Sequence, residues 1–258
     1  MALPAGVANE KAYASFFDSF YREAKKVNPK MSGVTLVFKD SMGRSITLNN
    51  VTAMRHVGAK GRKADLAVYR KNAPTPYKIS IKDNTSIYWG SEDKYIRQKY
   101  APMILKYIKT LDNDDIVSYD AKNKKYILKG KLALTIDKSS KNKTVFGSET
   151  RTGDNDCDVV VRGQIKISDV NKDVKNNTIT FNVKRIYENI QDIPEREEPV
   201  LFVYNEGGKR PRSTFNTKNS DIEDEILVSI TELPGIRGAF RSRENAEYEI
   251  EKNGIWLI

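Results

Sequence analysis

The chain has 258 residues, of which 39% are hydrophobic and 30% charged, with a formal net charge of +10. That length is enough to bury a core without disulfide or metal staples, and no stretch approaches the roughly 20 consecutive apolar residues of a membrane-spanning helix. A single cysteine, Cys157, and a single histidine, His56, exclude an internal disulfide, a multi-cysteine zinc site and every metal motif built on paired histidines.

From Asn9 to Val27, the spacing of Tyr13, Phe16, Phe17, Phe20, Ala24 and Val27 predicts a helix. Steps of 100° put Glu10 about 60° from the centre of that apolar stripe, on its border, and Asp18 nearly opposite it, towards water. Val34–Phe38 and Ser45–Leu48, joined through a turn at Asp40–Gly43, predict a β-hairpin. The glycine-bearing basic stretch 58–63 leads into a strand over Ala64–Tyr69. A loop carrying Pro74 and Pro76 then leads into another strand, Tyr77–Lys82. Tyr95, Ile96, Tyr100, Met103, Ile104, Tyr107, Ile108 and Leu111 mark a second helix over 92–111, bent or restarted near Pro102. Beyond residue 112 the texture changes to short strands at 126–128, 131–136, 159–167, 178–186, 200–204 and 226–230. The fold class expected is α/β, with a β-rich C-terminal half that either forms a separate domain, dividing the chain at 1–111 and 112–258, or extends the first sheet.

The positive charge is uneven. Between Arg55 and Lys109 stand thirteen Lys and Arg against the four acids Asp65, Asp83, Glu92 and Asp93, a distribution suited to a polyanionic partner, with nucleic acid foremost. The N-terminus has no basic segment followed by an apolar run, so the expected location is intracellular, in the cytoplasm, with no membrane partner.

Phosphodiester hydrolysis needs an attacking water, an offset for charge gathering on the phosphate, and help for the leaving oxygen. Carboxylate-held Mg²⁺ with a lysine beside it can supply these. Residues two apart on a strand share a face, so Ser80 and Lys82 are expected to present together while Ile79 and Ile81 anchor the strand. Asp65, at the start of the preceding strand, is expected beside them. Each also has a plain reading: Asp65 capping a strand or pairing with Lys63, Lys82 as a solvated strand lysine, and Glu10 as a helix-start acid.

Ala64-Asp65, fourteen intervening residues and then Ser80-Ile81-Lys82 resemble the PD-(D/E)xK, or restriction-endonuclease-like, nucleases. Asn9-Glu10-Lys11 and Asp93-Lys94-Tyr95 further resemble the helix starts of small Type II restriction endonucleases, and the resemblance spans about residues 9–110. It implies a central mixed sheet flanked by helices and a Mg²⁺-dependent endonuclease acting on double-stranded DNA. It also implies a metal held by Asp65, the Ile81 carbonyl and a helix glutamate, with Lys82 serving the water. Ser80 departs from the family, which carries an acid there. Either a carboxylate comes from elsewhere, with Glu10 the first choice and Glu23 the reserve, or the site is weakened to DNA binding alone; a third reading is a recombination or repair nuclease that reads DNA structure rather than sequence. A symmetric double-strand cut would require a homodimer or sequential nicking.

Lys60, Arg62 and Lys63 are expected to grip the DNA backbone. Arg210, Arg212, Arg237 and Arg241, in basic loops at 207–212 and 235–243, are expected to add DNA contacts. His56 reads as a structural or surface imidazole that could touch a phosphate. Asp154, Asp156 and Asp158 alternate like the start of a calcium loop, but Val159 and Ile165 stand where that loop needs glycine and glutamate. They therefore read as a solvated turn.

Overall fold

A computed structural model describes residues 5–58, 62–82, 87–91, 94–111, 115–148, 150–205 and 236–257. In chain order its helices are α1 (Ala5–Val27), α2 (Lys94–Thr110), α3 (Lys138–Phe146) and α4 (Arg243–Asn253). Its strands are β1 (Val34–Asp40), β2 (Ser45–His56), β3 (Leu66–Arg70), β4 (Tyr77–Lys82), β5 (Tyr88–Ser91), β6 (Val117–Asp120), β7 (Lys125–Leu128) and β8 (Lys131–Thr135). After these come β9 (Val159–Arg162), β10 (Val170–Asp173), β11 (Thr178–Val183), β12 (Arg185–Tyr187), β13 (Pro199–Asn205), β14 (Ile236–Ser242) and β15 (Gly254–Leu257). The class is α/β with mixed sheets. No described helix is long and apolar enough to cross a membrane.

The chain forms two compact units that interleave in sequence. One comprises Met1–Ile87 with Val145–Ile193, the other Tyr88–Thr144 with Pro194–Ile258.

In the first unit, the helical spacing of Tyr13, Phe17, Phe20 and Ala24 turns these residues into a fully buried stripe on α1. They meet the alternating inward residues of the sheet. Tyr13 packs edge-on against Phe181, with ring centroids 5.2 Å apart, and Phe38 lies 5.4 Å from the same ring. The sheet runs β10-β11-β1-β2-β3-β4-β9-β12. Its β1–β11 and β4–β9 pairs are parallel and the rest antiparallel. The expected β1–β2 hairpin forms, and β2 continues past Leu48 through a bulge where Asn50 adopts φ 55°.

The expected single strand over 178–186 is two strands that turn at Lys184 and stand far apart in the sheet order. Asp40 joins the last strand to the hairpin tip: its Oδ2 accepts from the Ile186 amide at 3.2 Å, its Oδ1 from the Met42 amide at 2.8 Å and the Arg44 amide at 3.0 Å. The Ser41 hydroxyl donates to the Lys184 carbonyl at 3.1 Å. The sheet therefore curls until its eighth strand meets the β1–β2 turn.

In the second unit a sheet of order β15-β8-β13-β14-β5 carries α4 on a small core of Ala133, Val200, Phe202 and Ala246. A separate hairpin, β6–β7, completes it. α2 passes through Pro102 as one helix and buries Tyr100, Ile104 and Ile108. α3 is absent from the sequence expectation because it has no apolar period. A cap starts it: Asp137 Oδ1 accepts the Ser140 amide at 2.9 Å. Of the segment 235–243, expected as a basic loop, the described residues 236–243 are strand β14 running into α4. The expected strand at 226–230 lies outside the described residues.

Candidate active site

β3 and β4 are antiparallel neighbours with Leu66 opposite Ile79, so Asp65 enters β3 opposite the middle of β4. Its amide donates to the Ile79 carbonyl at 2.9 Å. Its Oδ2 accepts from the Ile81 amide at 2.6 Å and from the Ser80 hydroxyl at 3.0 Å. Ile79 and Ile81 anchor in the core beneath α1, as expected. Ser80 does not present itself beside Lys82: it is 0% exposed, and its hydroxyl is spent on holding the Asp65 carboxylate. The cause is cover on the second face of the sheet, where neighbouring Val160 is equally buried. Ile81 meets Asp65 through its backbone N–H. Lys82 ends the strand half-buried, and its carbonyl accepts from the Gly163 amide at 2.9 Å.

Glu10 arrives from the other side on α1. Its neighbour Asn9 fixes the helix to the loop after β9, donating through Nδ2 to the Gly163 carbonyl at 3.0 Å and accepting the Ile165 amide through Oδ1 at 2.9 Å. The Tyr13 hydroxyl also donates to the Gly163 carbonyl, at 3.2 Å. Glu10 Oε2 lies 2.7 Å from His56 Nε2. His56 ends β2, and the next amide, Val57, donates to the Asp65 carbonyl at 2.9 Å.

The three side chains converge at Gly58. A methyl group on that residue would stand 3.0 Å from His56 Nε2, 3.2 Å from Glu10 Oε2 and 3.6 Å from Asp65 Oδ1. Burial, and then the charge of Asp65, push the Glu10 carboxyl above its ordinary value; the His56 contact and the charge of Lys82 pull it back. Glu10, Asp65, His56 and Lys82 thus share one electrostatic environment.

This donor set suits a small hard cation. Burial raises the Glu10 carboxyl first and the charge of Asp65 second, and a divalent ion would offset the second of these. Among the described residues no group of three or more His, Cys, Asp or Glu makes a ready cage, but Mg²⁺ is ordinarily held by one or two carboxylates and keeps several waters.

The other expected residues are dispersed. Arg62 is exposed and Lys63 half-buried on the approach to Asp65, whereas Lys60, Arg210 and Arg212 lie outside the described residues. Arg237 stands on β14 opposite Tyr204. Arg241 faces its own sheet, with its guanidinium carbon 4.4 Å above the Phe202 ring. Glu23 sits roughly 20 Å along α1 from Glu10 and faces Lys172 at 3.5 Å.

The 154–158 segment is a turn, solvated at Asp154 but not at Asp156 and Asp158. Asp156 is 5% exposed and accepts the Gly153 amide at 2.8 Å and the Ser148 hydroxyl. Asp158 accepts the Lys78 amide at 2.6 Å. Asp158 fastens the start of β9 to β4, and Asp156 closes its own turn. Sequence reasoning missed His56 and Gly58 as members of the Glu10–Asp65 cluster. Only the place of His56 just ahead of the basic stretch and of Gly58 at its start marked them. No family model matches the chain, and no curated protein matches it.

Proposed function

We propose that this protein is a Mg²⁺-dependent endonuclease with a restriction-endonuclease-like core, hydrolysing phosphodiester bonds in double-stranded DNA. The observation that carries the reading is the convergence of Glu10 and Asp65 on Gly58 within the field of Lys82, in a chain of net charge +10. Bound Mg²⁺ would supply a Lewis acid for the phosphate and a more acidic water. Glu10 and Asp65 would hold it. Ser80 and the Ile81 amide keep the Asp65 carboxylate oriented, and His56 does the same for Glu10. The Lys82 ammonium stabilises charge developing on the phosphate and orients the attacking water. Arg62 and Lys63 meet the backbone ahead of Asp65. Restriction of DNA is the role we assign, with a homodimer or sequential nicking completing a double-strand cut.

One observation favours a second reading, DNA binding without cleavage: Ser80 stands where a third carboxylate would, and Glu10 is engaged by His56. Supercoiled plasmid incubated with and without Mg²⁺ separates the two. The nuclease reading expects metal-dependent cutting that falls at least about 100-fold in both Asp65→Ala and Lys82→Ala. Salt-sensitive binding with no cutting by the wild type would establish the second reading. Cutting confined to branched substrates would assign the enzyme to recombination or repair.

A further inference from the structure

A cavity of about 320 Å³ opens in the first unit where the ends of β1, β9 and β11 meet. That volume lies at the lower end of small-molecule sites, roughly 300–1,000 Å³. Its floor is formed by Asp40, Gly163 and Val183, all buried. Its rim carries Lys39, Ser41, Gln164, Asn182 and Lys184, all exposed, and Asp169 completes the wall.

Lys39 and Lys184 offset the two lining carboxylates, Asp40 and Asp169, and Arg185 beside them leaves one net positive charge. The Asp40 carboxylate is taken up by three backbone amides, and Asp169 Oδ2 accepts the Lys166 amide at 2.9 Å. Lys39 and Lys184 flank Ser41, and the Arg185 guanidinium adds a third cation by donating to the Ser41 hydroxyl at 2.7 Å. Three cations around one point suit a phosphate. Asn182, whose side-chain amide donates to the Asp169 carbonyl at 3.2 Å, and Gln164 complete the lining, and Val183 with the Gly163 backbone offers a surface for a sugar.

The cavity adjoins the candidate active site through Gly163. That residue's amide is bonded to the Lys82 carbonyl, and its carbonyl to Asn9, the residue before Glu10. We infer that this cavity is a nucleotide subsite, holding the phosphate and sugar of a DNA strand one or a few nucleotides from the bond cut at Glu10, Asp65 and Lys82. The inference rests on the nuclease reading for its cutting site, but its contacts are testable without cleavage.

The experiment measures binding of a fluorescein-labelled 20-base-pair duplex by anisotropy across a salt series. It uses the full chain carrying Asp65→Ala, without added metal. Adding Lys39→Ala and Lys184→Ala is expected to weaken binding about tenfold at fixed salt, equally for unrelated sequences. It should also lower the salt slope by about two, one for each lost phosphate contact. Lys39→Arg with Lys184→Arg, which keeps both charges, is expected to restore the affinity. Unchanged affinity and slope in the double alanine variant would overturn the subsite, as would a loss that the arginine pair fails to restore. Metal-dependent plasmid cutting by the wild type, measured separately, shows whether the nuclease reading stands in either case.

Discussion

Gly58 has its value in what it lacks. Three polar atoms stand where its side chain would be, two of them within 3.2 Å, so an alanine forces Glu10 and His56 outward by a few tenths of an ångström. Gly58→Ala is expected to lower metal-dependent cleavage at least about tenfold, because such sites tolerate little displacement, while the thermal midpoint stays nearly unchanged. A variant with full activity would mean that the convergence has no part in the chemistry.

Glu10 allows a test with opposite signs for stability and activity. Its carboxyl is raised above 4.5, by burial first and by Asp65 second, so folding favours the protonated form. That contribution is complete below pH 4.5 and is lost as pH rises through the folded value; at pH 8 the ionised Glu10 works against the fold. Glu10→Gln keeps an acceptor for His56 and removes the charge. It is therefore expected to melt about 2 °C higher than the wild type at pH 8, with the gain shrinking towards pH 4, and to lose cleavage. A lower midpoint at pH 8 would show that the His56 contact outweighs the crowding.

α1 does two jobs at opposite edges. Its aromatic stripe closes the core, and its first turns carry Asn9 and Glu10 to the end of β9. The sequence pattern showed the stripe because a 3.6-residue period needs no partner to be visible. The Asn9 clamp depends on a loop more than 150 positions away, which no local pattern contains. Asn9→Ala removes both clamp bonds, taking the Asn9 acceptor from the Ile165 amide and leaving the Gly163 carbonyl with the Tyr13 hydroxyl alone. The expected cost is about 1–3 kcal/mol in chemical denaturation, with a larger relative loss of cleavage because Glu10 is released with the clamp. Gly163 itself sits at φ 152°, with the Lys184 amide 3.3 Å from where a Cβ would be. Gly163→Ala is expected to cost about 1–3 kcal/mol through backbone strain alone. A midpoint equal to the wild type in denaturant would remove the claim that this bend is glycine-dependent.

The chain leaves its first unit after Ile87 and returns to it at Val145. The returning stretch supplies β11 as the parallel partner of β1 and β9 as the parallel partner of β4, and Val159, Val161, Ile179 and Phe181 fill the same core as α1. A fragment of residues 1–111 therefore lacks four of the eight strands of that sheet. It is expected to be unfolded or aggregated by circular dichroism and sedimentation, with exposed strand edges on β1 and β4. A soluble fragment with a cooperative melt would contradict this dependence.

Periodicity along the chain carried α1, the first hairpin, β3, β4 and α2, and short-range spacing placed Asp65 beside Ser80 and Ile81, because an antiparallel pair brings nearby residues together by its own geometry. Asp137 as a helix cap, the split of 178–186 into β11 and β12, and β14 in place of a basic loop were not legible there; each is set by partners remote in sequence or by a cap without apolar rhythm. The candidate site divides along the same line. Local strand geometry delivers Asp65 to β4, whereas the meeting of Glu10, His56 and Gly58, and the burial of Ser80, come from a helix and a sheet that curl around one another, and long-range packing of that kind leaves no period in the sequence to read.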